Sequence, residues 1–157
     1  MAMSRSEREF HRKTAVKCFN RAWDYLDLKK RNPEDNLEML SLVHTSRYHW
    51  SLVGTAKNSA IGDWLVSRAY SDLGQSAIAL RYAELCLASC RKNNLNEIEH
   101  TANEAIARAY AVANDQRKAG KYIKLARQLL ERQILDKEDT RIYWDQIRET
   151  EALIQNR

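Results

Sequence analysis

Residues 67–86 read SRAYSDLGQSAIALRYAELC, and residues 107–126 read ARAYAVANDQRKAGKYIKLA. At an offset of 40, Arg68-Ala69-Tyr70 falls on Arg108-Ala109-Tyr110, Ala79 on Ala119, Tyr82 on Tyr122 and Leu85 on Leu125. The kinds of residue that recur matter more than their number. Small side chains (Ser67 and Ala107, Ala79 and Ala119, Cys86 and Ala126) stand where two helices of a hairpin must approach closely. The tyrosines fill the space left between them. Leu73-Gly74-Gln75 faces Ala113-Asn114-Asp115, and Gly or Asn is the residue that closes a helix in the left-handed conformation. Each stretch therefore predicts a helix, a tight turn and a second helix, repeated once.

Working outward, the helical apolar period continues through nearly the whole chain. The 157 residues contain one proline and four glycines, far below average usage, which excludes collagen-like and turn-rich all-β chains. Seven helices are expected, at about 5–30, 34–53, 59–73, 76–93, 97–113, 116–134 and 137–155, with short connections that make neighbours antiparallel. Caps punctuate them: Ser4 with Glu7, Asn32 before Pro33, Asn96 with Glu99, and Asp136. Residues 1–157 are read as one all-α domain. In it 5–53 is a divergent first hairpin, 59–93 and 97–134 are the two repeats, and 137–155 is a capping helix with a polar outer face.

The pattern of Tyr70 and Tyr110, the turns at Gly74 and Asn114-Asp115, and the small positions Ala79, Cys86, Ala119 and Ala126 resembles the tetratricopeptide repeat. The period of 40 exceeds that family's usual 34, and its Trp-x-x-Leu-Gly opening is missing, which points to longer-helix relatives. The resemblance covers residues 60–134 and implies a right-handed superhelix of helical hairpins. It also implies a non-catalytic surface that binds a protein or peptide. The segment His44-Thr-Ser-Arg-Tyr-His-Trp50, with Val53-Gly54-Thr55 and Gly62-Asp63-Trp64, also resembles a group of small bacterial proteins.

Net charge is +5, and it is localised. Residues 1–31 hold nine basic residues against four acidic ones, and the remainder is balanced. A basic helix attracts acidic proteins, nucleic acid or anionic surfaces, but such charge speaks first to solubility. A protein or peptide is the expected partner, and an acidic one would suit this charge. Arg117, Lys118, Lys121, Lys124 and Arg127 form a second basic strip with one interleaved aromatic, Tyr122, too few for a nucleic-acid surface. Three cysteines (Cys18, Cys86, Cys90) form an odd set that suits a reducing cytoplasm. No apolar run reaches membrane-span length.

No phosphate loop, dinucleotide fingerprint or metalloprotease motif occurs, and no cofactor or metal site is expected. His44 and His49 are five apart and diverge round a helix, whereas Cys86 and Cys90 are read as packing residues. His11 and His100 are expected on the surface. The most unusual segment is the second helix, apolar on both sides and expected as a middle layer. His44, Arg47 and Tyr48 follow i, i+3, i+4 spacing and could clamp a carboxylate or phosphate, since guanidinium binds such groups bidentately. Alternatively Arg47 pairs with Asp63. His44, Arg47 and Asp63 would also centre an anion-sensing or catalytic site. Arg68 and Arg108, at equivalent repeat positions, are either paired structural ions or a basic ladder. The tryptophans are core residues or line a groove. Tyr143, Trp144 and Ile147 would offer an apolar edge for self-association.

Overall fold

The computed structural model of the protein describes residues 2–155. Within them the chain is all-helical: α1 (Arg5–Leu26), α2 (Pro33–Val53), α3 (Ala56–Asp72), α4 (Ser76–Lys92), α5 (Glu99–Val112), α6 (Gln116–Glu131) and α7 (Lys137–Gln155). Ser4 and Glu7 form the expected capping box, and Asn32 forms another with Asp35 ahead of Pro33. Several boundaries differ from expectation, among them the end of α6, at Glu131 rather than 134. Helix α1 stops at Leu26 rather than near 30, because Asp27 closes it on the Trp23 carbonyl. Helix α3 starts at Ala56 rather than 59, because Thr55 and Asn58 cap it reciprocally. Helix α5 is not capped by Asn96; a 3-10 turn over Asn96–Ile98 precedes it instead.

The helices stack as hairpins, α1 on α2, α3 on α4 and α5 on α6, with α7 closing on α5 and α6. Each hairpin meets the next through α2–α3 and α4–α5, and α3 also packs on α5. The odd-numbered helices thus share one layer; Trp23 of α1 and Trp64 of α3 meet within it at 5.9 Å.

The repeat is visible in both packing and turns. Tyr70 stacks on Tyr82 at 6.3 Å, and Tyr110 stacks on Tyr122 at 5.8 Å, one pair inside each hairpin. The small positions Ala79, Ala119, Cys86 and Ala126 are all buried. Gly74 (φ 73°) and Asn114 (φ 62°) hold the left-handed position after α3 and α5. In each turn the next amide donates to the tyrosine carbonyl at 2.9 Å, Gln75 to Tyr70 and Asp115 to Tyr110. This hydrogen bond uses a carbonyl the helix end would otherwise orphan.

The middle of the stack is α5, with eleven of its fourteen residues buried, flanked by α3. Helix α2 lies between α1 and α3, as its two apolar sides lead one to expect, but it is only partly covered. Its Met39, Leu42, Val43 and Ser46 are buried, but Leu37, Tyr48 and Leu52 are exposed, since α1 and α3 cover only part of it. The expected surface position of His100 is corrected: α5 is so enclosed that it lies 2% exposed. Cys86 and Cys90 are free and buried, and the hydrogen bond with Cys90, then burial, raises the Cys86 thiol well above its ordinary value.

A Cβ at Gly74 would meet nothing within 4 Å, so Gly74→Ala isolates the cost of the backbone conformation. Urea unfolding should show Gly74→Ala destabilised by about 1 kcal/mol and Asn114→Gly unchanged or slightly stabilised. Equal stability of Gly74→Ala and the parent would contradict the assigned turn.

Candidate functional site

Three polar or open regions arise from this packing. The first is an ionic network inside the odd-helix layer. On α5, Arg108 and Glu104 are one turn apart and bonded at 3.0 Å, with side chains only 5% and 3% exposed. From α7, the Glu149 carboxylate accepts from Arg108 at 3.2 Å and from Arg68 of α3 at 2.7 Å. Thr150 donates its hydroxyl to Glu104, and the Trp64 indole N–H approaches the other Glu104 oxygen at 3.4 Å. Asp72, ending α3, lies 3.6 Å from Arg68, 3.9 Å from Arg108 and 3.6 Å from Arg31. Arg31 in turn donates to the Tyr25 carbonyl and to Asn36. Three guanidiniums therefore meet three carboxylates. Burial opposes ionisation of Glu104, but Arg108, Arg68 and the Thr150 hydroxyl outweigh it and hold its carboxyl below the ordinary value. Arg68 and Arg108 stand as paired ions inside the fold, not as a ladder on its surface.

The second region lies between α2, α3 and α4. Arg47 pairs with buried Asp63 and lies over the Tyr82 ring at 5.4 Å. His44 is hydrogen-bonded through Nε2 to the Tyr70 hydroxyl at 3.0 Å and packs edge-on against both tyrosines. Burial, then the neighbouring Arg47 charge, lowers the His44 pKa. Burial raises that of Asp63, and Arg47 partly restores it. Gly62 lets the Arg47 stem lie against α3, since a Cβ there would sit 3.4 Å from it. Tyr48 does not join this cluster; it is 59% exposed and contacts His49. The spacing that suggested convergence fails for Tyr48 because only the His44–Arg47 edge of α2 faces α3 and α4.

The third region is a cleft of about 550 Å³ bounded by α1, α3, the start of α5 and α7. Its apolar lining comes from Phe19 and Trp23 of α1, Ile61 and Trp64 of α3, Ile98, and Ile142 and Tyr143 of α7. Asp27, Asp139, Asp145 and Glu149 bring carboxylates to it, against Arg68 and Arg141. His44, Arg47 and Asp63 take no part in it. The periodic set Asp139, Ile142, Tyr143, Gln146 and Glu149 on α7, spaced as one helix face, was the signal for this wall.

The apolar edge of α7 expected for self-association is largely used internally. Ile147 is 1% exposed and packs with Ala107, Ile123, Ala126 and Leu130. Trp144 lies under Arg127, which also bonds Glu151, and Tyr143 meets His100 edge-on at 4.6 Å. No helix of the described residues is long and apolar enough to cross a membrane. No family model, curated protein or solved structure matches the chain.

His100 gives a pH test of this packing. Burial lowers its pKa from 6.5 to about 4, opposed by the Glu97 carbonyl and the Glu104 charge. The folded state therefore favours the neutral ring, and the stability this confers is present above pH 6.5. It is lost as pH falls, by about 3 kcal/mol at pH 4. His44 and His49, also lowered, add in the same direction. Urea midpoints measured from pH 7 to 4 should fall less steeply for His100→Leu than for the parent. Parallel curves would contradict the buried neutral ring.

Proposed function

We propose that the protein is a non-catalytic binding module that receives a segment of another protein in the cleft between α1, α3, α5 and α7. One observation carries this reading: a cleft of about 550 Å³, floored by aromatic rings and walled by the odd-helix layer. Binding sites are characteristically concave and apolar, with a few placed polar groups, in a volume range that includes this one. Stacked helical hairpins present such surfaces along one layer, and the resemblance to tetratricopeptide repeats supports the same use. Of the cleft's charged groups, Glu149 pairs with Arg68 and Asp145 with Arg141, an arrangement that suits holding a ligand more than transforming it. The three free thiols and the resemblance to small bacterial proteins support a cytoplasmic setting.

The His44, Arg47 and Asp63 cluster is the weaker candidate for anion sensing or catalysis, because Asp63 already occupies the Arg47 guanidinium. Self-association through Tyr143, Trp144 and Ile147 is disfavoured by the burial of Ile147.

Affinity capture from a lysate of the source cells tests the cleft reading. Gln146→Trp would fill the cleft from α7, and Tyr48→Ala would alter an exposed site on α2 as the control. Both should unfold like the parent. The first should recover at least about tenfold less partner, a loss near 1.4 kcal/mol, and the second should recover it fully. Undiminished capture by Gln146→Trp would overturn the reading.

A further inference from the structure

The charge of the cleft is opposite to that of the chain as a whole. The net +5 resides in residues 1–31, yet the cleft presents four carboxylates and two guanidiniums. Both guanidiniums have ion-pair partners, although Nε and Nη1 of Arg68 are buried without a hydrogen bond. Arg68 pairs with Glu149 and Asp72, with its Cζ 5.8 Å from the centre of the Trp23 ring, and Arg141 lies 3.6 Å from Asp145. The carboxylates of Asp27 and Asp139 have no ion-pair partner among the described residues, and both residues are exposed.

Two further features sharpen this. Asp27 is the C-cap of α1, whose last turn contains no basic residue. The helix dipole places partial negative charge at that end, so Asp27 and the terminal carbonyls reinforce one another in attracting a cation. The Trp23 and Trp64 rings line the same cleft as Asp27 and α7. Aromatic faces beside carboxylates stabilise ammonium and guanidinium groups while also accepting apolar stems.

We infer that the cleft takes a partner segment bearing lysine or arginine among apolar side chains. The apolar side chains would sit on Phe19, Trp23 and Ile61, and the cation would lie between Asp27 and Asp139. This rests on the cleft reading above and reverses the partner charge that the chain's net charge suggests. The basic face of α1 stays outside the site.

Panning a random linear peptide library displayed on phage against the intact protein tests it without presupposing a sequence. Enriched peptides are then titrated by tryptophan fluorescence against the parent, Gln146→Trp and the double variant Asp27→Asn/Asp139→Asn. Both aspartates are exposed, so the double variant should fold. The inference expects enriched peptides rich in Lys or Arg and apolar residues. It expects their affinity to fall at least about tenfold in the double variant. Acidic or uncharged peptides that lose affinity with Gln146→Trp but not with the double variant would overturn the inference and leave the cleft reading standing. Enriched peptides indifferent to both variants, including acidic ones docking on α1, would overturn the inference and the cleft reading together.

Discussion

Charge buried between helices is the constraint around which this molecule is arranged. Arg108 and Glu104 are almost fully enclosed on the central helix α5, and Arg68 of α3 is nearly so. An ion removed from water costs several kcal/mol unless it is paired and hydrogen-bonded. Glu149 and Thr150 must therefore come from α7, Asp72 from the end of α3, and Arg31 from the link between α1 and α2. Such networks are weak devices for raw stability and better attested as devices of register. Here the register is that of the odd-helix layer. A slip of α7 by one turn would put Leu153 in the place of Glu149 in one direction; in the other it would put Asp145 there but Gln146 in the place of Thr150 beside Glu104.

The cleft follows from the same arrangement. Helix α7 has two working edges. Ile147 and Thr150 are buried against α5 and α6, while Asp139, Ile142, Tyr143 and Gln146 face the cleft. Glu149 belongs to both, bonding Arg68 and Arg108 while half exposed at the rim. The network thus holds the far wall of the proposed binding cleft at a set distance from Trp23 and Trp64. On the other side of the stack, Arg47 with Asp63 and His44 with Tyr70 join α2 to α3.

Much of the fold was legible because its signals are local. The recurrence of Arg-Ala-Tyr and of Gly74 and Asn114 located two hairpins, and the stacked tyrosines reproduce that repeat in space. Failures came where tertiary packing decides. His100 looks polar on its own helix turn, but α5 is enclosed, and nothing within the segment announces that. Tyr48 has the spacing to join His44 and Arg47, yet spacing gives a face and not what covers it. The cleft was the least legible, because its lining is gathered from four helices. Trp23 and Asp139 are brought to one site only by the closure of α7, and net charge obscured the local sign. The pairing of Arg47 with Asp63, in contrast, was one of two readings the residues allowed.

The direct test of the central claim is a double-mutant cycle between Arg68 and Glu149, which join α3 to α7 across the layer. Urea unfolding of the parent, Arg68→Met, Glu149→Gln and the double variant gives their coupling. If the network sets the register, the coupling should be about 1 kcal/mol or more, since one partner is nearly buried. Additivity within about 0.3 kcal/mol would mean that the pair is incidental and that apolar packing alone positions α7.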